Sequence, residues 1–430
     1  MEVGTRVTAG IGHTTTAMAW GMALLLLAAT LAWHVPMMLW DHLDLVPIYE
    51  AWQRGAFLSS EAMSVHDGSH LHFPAYVLLL GTTWLSDGQP LLDCLLAWTL
   101  LAAYAWLILK AIQRALPLRP PRWLLPALVG FTLHPGHLAN TQWGWQVAVF
   151  LCLAGSAAVV SLLSRSLTGW RENVIALLAM LVATMSFSTG LAIVPVALAL
   201  ILLRPAMPLS HRLLLAAPWT LFAIAIAMRA SSDAQVTMPA PADFVVYVLN
   251  YIGGSVARFA NGLAPWLATF AILTGCACAH ASRADPKVRF WLGCMVFALG
   301  AAALTALGRV TAFGPEHAFV SRYVSFSSMF WIGWLGIVAL ALQTFPLRVR
   351  RLLQGFVVLV LLLAAFNALH MVKKAREVAK RSAQTAATIR SQYPAVDDAI
   401  LREIYFGRSE QAKARLDVLH SQRFAPFDER

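Results

Sequence analysis

The chain has 430 residues, 59% of them hydrophobic and 12% charged, with a mean hydropathy of +0.66. A soluble domain carries about 25% charged residues, so an ordinary soluble enzyme is excluded. The net charge of +11 lies in short loops between apolar runs and in the last sixty residues, with no nucleic-acid-binding motif attached, which argues against a nucleic-acid partner.

Apolar runs of about 20 residues match a ~30 Å hydrocarbon core, and the chain reads as an all-α, polytopic transmembrane helix bundle. Residues 1–16 are polar, with Arg6 the one basic group. The run from Ala17 to about Trp40 exceeds the roughly 7–15 apolar residues of a cleavable signal core and is expected to be an uncleaved first span. A polar loop over 41–74 follows, holding Asp41, Asp44, Glu50, Glu61 and Asp67 together with His66, His70 and His72. After it, Phe73–Leu85 is apolar but too short to span, and Pro74 suits the first turn of a helix lying at the membrane surface.

Further apolar runs cover about 91–111, 123–136, 145–164, 173–189, 190–203, 213–229, 262–281, 290–308, 322–345 and 352–370. The stretch 173–203 divides at the polar turn Ser186-Phe187-Ser188-Thr189-Gly190. With the first run, these predict about eleven spans, forming a transmembrane domain over 1–370. The tail 371–430 predicts helices near 371–390, 396–406 and 409–420, the last opening at Ser409 with Glu410 in its first turn. Five cysteines lie inside apolar runs, with no C-x-x-C spacing, and read as small core residues.

Orientation follows from the basic residues. With the N-terminus inside, fifteen fall on the inner side: Arg6, Lys110, Arg114, Arg119, Arg122, Arg165, Arg171, Arg204, Arg212, Arg283, Lys287, Arg289, Arg348, Arg350 and Arg351. Five fall on the outer side before the tail: Arg54, Arg229, Arg258, Arg309 and Arg322. The first loop and the tail are then expected outside the cytoplasm, in the periplasm of a bacterium, with the chain in the inner membrane.

In that orientation the polar groups collect on the outer face. They are the first loop, His134–Gln146 (HPGHLANTQWGWQ), the Ser186–Gly190 turn, the 230–261 loop and Gly308–Tyr323 (GRVTAFGPEHAFVSRY). Mid-span positions hold almost no ionisable groups, whereas ion-coupled transporters place them near the midplane. Surface chemistry on a substrate with its head in water and its tail in lipid is the expectation. Asp41 and Asp44, three apart, share a face if helical and suit a general base or a divalent metal ligand; a solvated acidic cap is the alternative. Arg309 and Arg322 suit the phosphate of a lipid-linked donor through paired guanidinium hydrogen bonds, with headgroup snorkelling as the alternative. Trp40, Trp52, Trp143 and Trp145 suit stacking on sugar rings or an aromatic belt. His66, His70 and Gln146, with Tyr323, complete the candidate substrate-binding set, and no HExxH-type metal spacing, P-loop, G-x-G-x-x-G or G-x-S-x-G is present.

Span one, an acidic outer loop, a short helix opened by proline and then span two resemble the N-terminal module of the GT-C glycosyltransferases. DLVPIYEAWQRG, NTQWGWQ, SFSTGLAIVP and SRYVSFSSMFWIG are similar to blocks in a broad branch of bacterial membrane proteins related to that superfamily. The resemblance covers most of the chain. It implies a polyprenyl-phosphate-linked sugar donor, a glycan or lipid acceptor, and an aspartate of the first outer loop as catalytic base or metal ligand. By position Asp44 is the first choice and Asp41 the second. Where the branch often reads NEHR, this chain has Asp67, Gly68, Ser69 and His70. The resulting expectation is transfer of a sugar to a cell-envelope acceptor at the periplasmic face; the alternatives are a lipid or glycan flippase and a non-catalytic subunit of an envelope-assembly complex.

Overall fold

The computed structural model describes residues 2–63, 71–165, 169–204, 207–230 and 238–428, the side chains of 2–13 and 226–230 excepted. It is helical throughout, with no strand among the described residues. The helices are α1 (Glu2–Trp33), α2 (Leu45–Gln53), α3 (Phe73–Leu85), α4 (Pro90–Ala115), α5 (Leu124–Thr132), α6 (Leu138–Thr141), α7 (Val147–Leu163), α8 (Trp170–Ser186) and α9 (Ile193–Leu202). They continue as α10 (Leu209–Ala230), α11 (Pro241–Ala257), α12 (Ala264–Ala281), α13 (Val288–Phe313), α14 (Val324–Ala341), α15 (Leu347–Gln392), α16 (Asp398–Ile404) and α17 (Ser409–Ser421).

Among the described residues, seven helical segments are long and apolar enough to cross a membrane: Thr14–Trp33, Pro90–Ala115, Gly144–Leu163, Ala264–Ala281, Val288–Phe313, Ser321–Ala341 and Leu347–Gln392. The chain is a multi-pass helical membrane protein. The expected runs at 123–136, 173–189, 190–203 and 213–229 fall on α5, α8, α9 and α10. Of these, α5 has 9 residues and α9 has 10, which at 1.5 Å per residue reach only about 14–15 Å. Hydropathy carried the run at 123–136 past the end of α5 at Thr132, where the chain turns at His134-Pro135-Gly136. It also read 230–261 as a loop, whereas Pro241–Ala257 is a helix with Tyr247, Asn250 and Tyr251 buried.

At the centre stands α14, every residue of which is buried; a helix apolar all round must sit inside other helices. It approaches α13 through glycines: a Cβ on Gly336 would lie 2.1 Å from Trp291 Cδ2, and one on Gly333 would lie 2.4 Å from the Trp291 carbonyl oxygen. The buried indoles keep their N–H groups satisfied. Trp331 donates to the Ile252 carbonyl at 2.9 Å and Trp334 to Thr274 Oγ1 at 3.1 Å.

The bundle has two chemically different ends. At one, Arg114 donates to Ser161 Oγ at 2.7 Å, Lys287 to the Leu116 carbonyl at 2.7 Å, and Arg204 to the Leu163 carbonyl. Lys287 and Arg204 thereby cover carbonyls that helix C-termini leave unpaired. At the other end lie the first loop, the breaks before α7 and α9, and the Gly314–Tyr323 connection. There Val35 donates to the Gln142 carbonyl at 2.8 Å and Asn140 Nδ2 to the Arg322 carbonyl at 3.0 Å.

The tail closes over this second end. The last apolar run and the first tail helix are one 46-residue helix, α15, about 69 Å long, and α16 and α17 fold back from it onto α2. Phe424 packs edge-on to Tyr49 with centroids 5.2 Å apart, Gln89 Nε2 donates to Asp428 Oδ2 at 2.6 Å, and Gln53 Nε2 donates to Gln422 Oε1 at 3.3 Å.

Candidate functional site

Immediately after α1 the chain makes a 3-10 turn, Trp40–Asp44, entered with Trp40 at φ +56°. This left-handed conformation is costly for a bulky residue and has to be held by its surroundings. The Trp40 ring meets Trp143 edge-on at 5.2 Å. The next anchor is His42, fully buried, with Nε2 3.3 Å from Asp93 Oδ2 in the first turn of α4. Asp93 also accepts a hydrogen bond from Thr82 Oγ1 of α3. Gly144 packs so closely on Asp93 that a Cβ there would lie 2.2 Å from the aspartate Cβ. The turn is therefore pinned to α3, α4 and the segment before α7.

The turn presents Asp41 to a cavity of about 220 Å³ at the polar end of the bundle. Gln146 and Trp145 line it from the break before α7, Ser188 and Thr189 from the break before α9, Arg309 from α13, and Arg322 and Tyr323 from the turn before α14. Its far wall is apolar, with Leu191 and Leu304 beside Gly308. Helix breaks supply most of its polar groups and α13 the rest of that wall, since backbone that leaves a helix within a membrane protein needs polar company. His72 closes one side, its ring 5.2 Å from that of Trp145.

The two arginines also surround His317. Its Nδ1 is 3.1 Å from the Tyr247 hydroxyl, and its ring stacks on Phe313 at 4.7 Å. Burial, and then the charges of Arg322 and Arg309, hold its pKa down at about 4, so it is neutral at pH 7. The Arg309 guanidinium lies 5.8 Å from the Phe313 ring centre and that of Arg322 lies 5.7 Å from Tyr323. Two guanidinium groups set against the one carboxylate of Asp41 in the lining leave net positive charge in a partly buried setting, which suits an anion.

The expected site residues divide as follows. Asp41, Gln146, Arg309, Arg322 and Tyr323 share this cavity. Trp143 lines an adjoining cleft whose wall includes Arg322. Asp44, the first choice by position, does not line the cavity. It accepts a hydrogen bond from the Tyr405 hydroxyl, and Arg415 Nη2 lies 3.4 Å away. Tyr405 is pushed up from its usual pKa by burial and then by that hydrogen bond. His66 and His70, with Asp67, lie outside the described residues. Among the described residues no group of three His, Cys, Asp or Glu is placed to hold a metal ion. His134 and His137 serve packing: His134 Nδ1 accepts from the Gly136 amide at 2.9 Å, and His137 bridges Ser325 Oγ at 2.8 Å and the Thr132 carbonyl at 3.1 Å.

The sequence reading named neither His42 nor Asp93 as part of the site, although Asp93 stands out as a carboxylate at the edge of an apolar run. Ser188 and Thr189 lie in a polar block that was legible, without a role attached, while Trp145, read as a sugar-stacking or belt residue, lines the cavity. No protein-family model matches the chain, and no characterised protein or solved structure is similar to it.

Proposed function

We propose that the chain transfers a sugar from a polyprenyl-phosphate-linked donor to a cell-envelope glycan or lipid acceptor. The observation that supports this reading is the meeting of one carboxylate, Asp41, and two guanidinium groups, Arg309 and Arg322, in a single cavity with an apolar wall. A donor of this class needs a receptor for its phosphate, a base for the acceptor hydroxyl and an apolar path for its hydrocarbon tail. The fifteen-to-five distribution of basic residues orients the cavity toward the periplasm, with an inner-membrane location and the N-terminus cytoplasmic. We read α5, α8, α9 and α10 as short or broken spans completing a GT-C-like bundle of about eleven.

The chemistry assigned to each group is specific. Asp41 takes the proton of the acceptor hydroxyl, and the acceptor oxygen attacks the anomeric carbon. The bond from that carbon to the phosphate oxygen breaks, and polyprenyl phosphate leaves as an anion. Arg309 and Arg322 stabilise the charge as it develops on that oxygen, an effect enhanced where water is excluded. Neutral His317 adds no charge of its own beside the two arginines. Transport has less support: the central helix α14 carries serines but no ionisable group, whereas a transporter places such groups along its axis.

The test is complementation of a deletion strain with wild type or Asp41→Asn, with both proteins brought to equal membrane levels. Polyprenyl-linked intermediates and envelope glycans are then profiled by mass spectrometry. General-base loss lowers transfer by about 100-fold or more, so the variant should accumulate a lipid-linked sugar and lack one sugar in the glycan. Full rescue by Asp41→Asn sinks the assignment.

A further inference from the structure

We propose that the cleft adjoining the Asp41 cavity is a separate subsite for an anionic sugar ring, which the acceptor glycan carries. The second clause of that statement rests on the transferase reading; the ligand chemistry does not. The cleft, of about 180 Å³, lies where α15 emerges from its apolar stretch, and is lined by Trp40, Gln142, Trp143, Arg322 and Lys374. Its volume suits one ring rather than an extended molecule.

Three features point to the ligand. The first is aromatic: Trp40 and Trp143 meet edge-on at 5.2 Å, an angled pair of apolar faces with a polar handle on each indole. Trp143 is only 9% exposed, unlike a belt tryptophan that faces lipid headgroups. The second is hydrogen-bonding capacity left unused. Gln142 Oε1 and Trp143 Nε1 are buried and find no partner among the described residues. One is an acceptor and the other a donor, and buried groups of this kind normally have partners. Sugar hydroxyls supply both complements.

The third feature is charge. Arg322 lines both the cleft and the Asp41 cavity, and its carbonyl is fixed by Asn140 Nδ2 at 3.0 Å. Lys374 reaches Glu377 at 2.9 Å on the outer side of α15, yet an ammonium has three donors. Arg322 and Lys374, set against the one carboxylate of Glu377, leave a net positive charge beside the indole pair, which selects a ring bearing a carboxylate or a phosphate over a neutral one. Because Arg322 separates the two spaces, a ring held here lies next to the base.

The test uses the full chain in nanodiscs of phosphatidylcholine, titrated calorimetrically with trigalacturonate, glucose 6-phosphate and, as neutral control, maltotriose. Either anionic probe should bind and maltotriose should not; which one binds tells a uronate from a phosphosugar. Lys374→Gln, at an exposed position, removes one charge-assisted contact and should weaken binding about tenfold. Ala139→Phe, which fills the cleft, should abolish it at an unchanged thermal midpoint. Equal binding of maltotriose, no binding of either anionic probe, or indifference to Lys374→Gln overturns the proposal. So does native mass spectrometry showing a phosphatidylglycerol that Ala139→Phe displaces, which would make the cleft a lipid site. Binding is read without turnover, so a glycan defect in Asp41→Asn combined with no binding here removes only the subsite. Binding with no such defect removes only the transferase.

Discussion

At the residue scale, two aspartates on one turn have different fates. Asp41 enters a cavity with two arginines, while Asp44 binds Tyr405 and Arg415 of the tail. Spacing alone put them on one face. The Gly308 position offers a clean test of the cavity, because a Cβ there meets nothing within 4 Å. Gly308→Leu adds bulk to the lining at an open position, and replacing a mid-helix glycine favours the helix by about 0.5–1 kcal/mol. We expect unchanged membrane level and thermal midpoint but strongly reduced glycan output; wild-type output from this variant would show that the space is not used. His317 provides a pH signature. Its folded pKa of about 4 lies below its ordinary 6.5, so the unfolded state binds the proton more readily. The stability it contributes is whole above pH 6.5 and is lost as pH falls toward 4. His317→Gln, which keeps a partner for Tyr247 but does not titrate, should show a smaller drop in thermal midpoint between pH 7 and 4.5 than wild type. An identical drop would remove His317 from the acid response.

At the element scale, the tail belongs to the architecture of the first loop. The expected tail helices at 396–406 and 409–420 appear as α16 and α17, and the short helix expected over Phe73–Leu85 has those limits. The sequence did not reveal that α15 runs unbroken from the apolar run into the tail, since loss of hydropathy looks the same whether a helix ends or simply leaves the membrane. Nor did it reveal where the tail lands. Tyr405 is 1% exposed, and the Asp44 and Arg415 side chains are 16% and 17% exposed, so the clasp between them is shielded from water. Removing one partner of a shielded pair costs about 1–3 kcal/mol through the charge left behind. Arg415→Gln should accordingly raise hydrogen exchange and trypsin cleavage over 398–428. Adding Asp44→Asn should restore part of the loss, since it removes the stranded carboxylate. Strictly additive effects would mean that the two do not act as a pair.

At the scale of the whole molecule, the bundle is a frame with a basic end and a polar, site-bearing end. Leu118 is 92% exposed near the former and Leu58 is 72% exposed in the first loop. With one cysteine introduced at either position, an impermeant maleimide added to intact spheroplasts should label Leu58→Cys and spare Leu118→Cys until the membrane is opened. The reverse pattern would invert the orientation. The sequence by itself determined the class, the long spans and the segments rich in polar groups, because hydrophobicity and helix signals are local and survive in any fold. Only the tertiary structure decided which polar groups meet. The helix in 241–257, the burial of His42 against Asp93 and which of Asp41 and Asp44 lines the cavity all depend on contacts between residues far apart in the chain. Such contacts are set by how helices pack against one another, which leaves no periodic trace in the sequence.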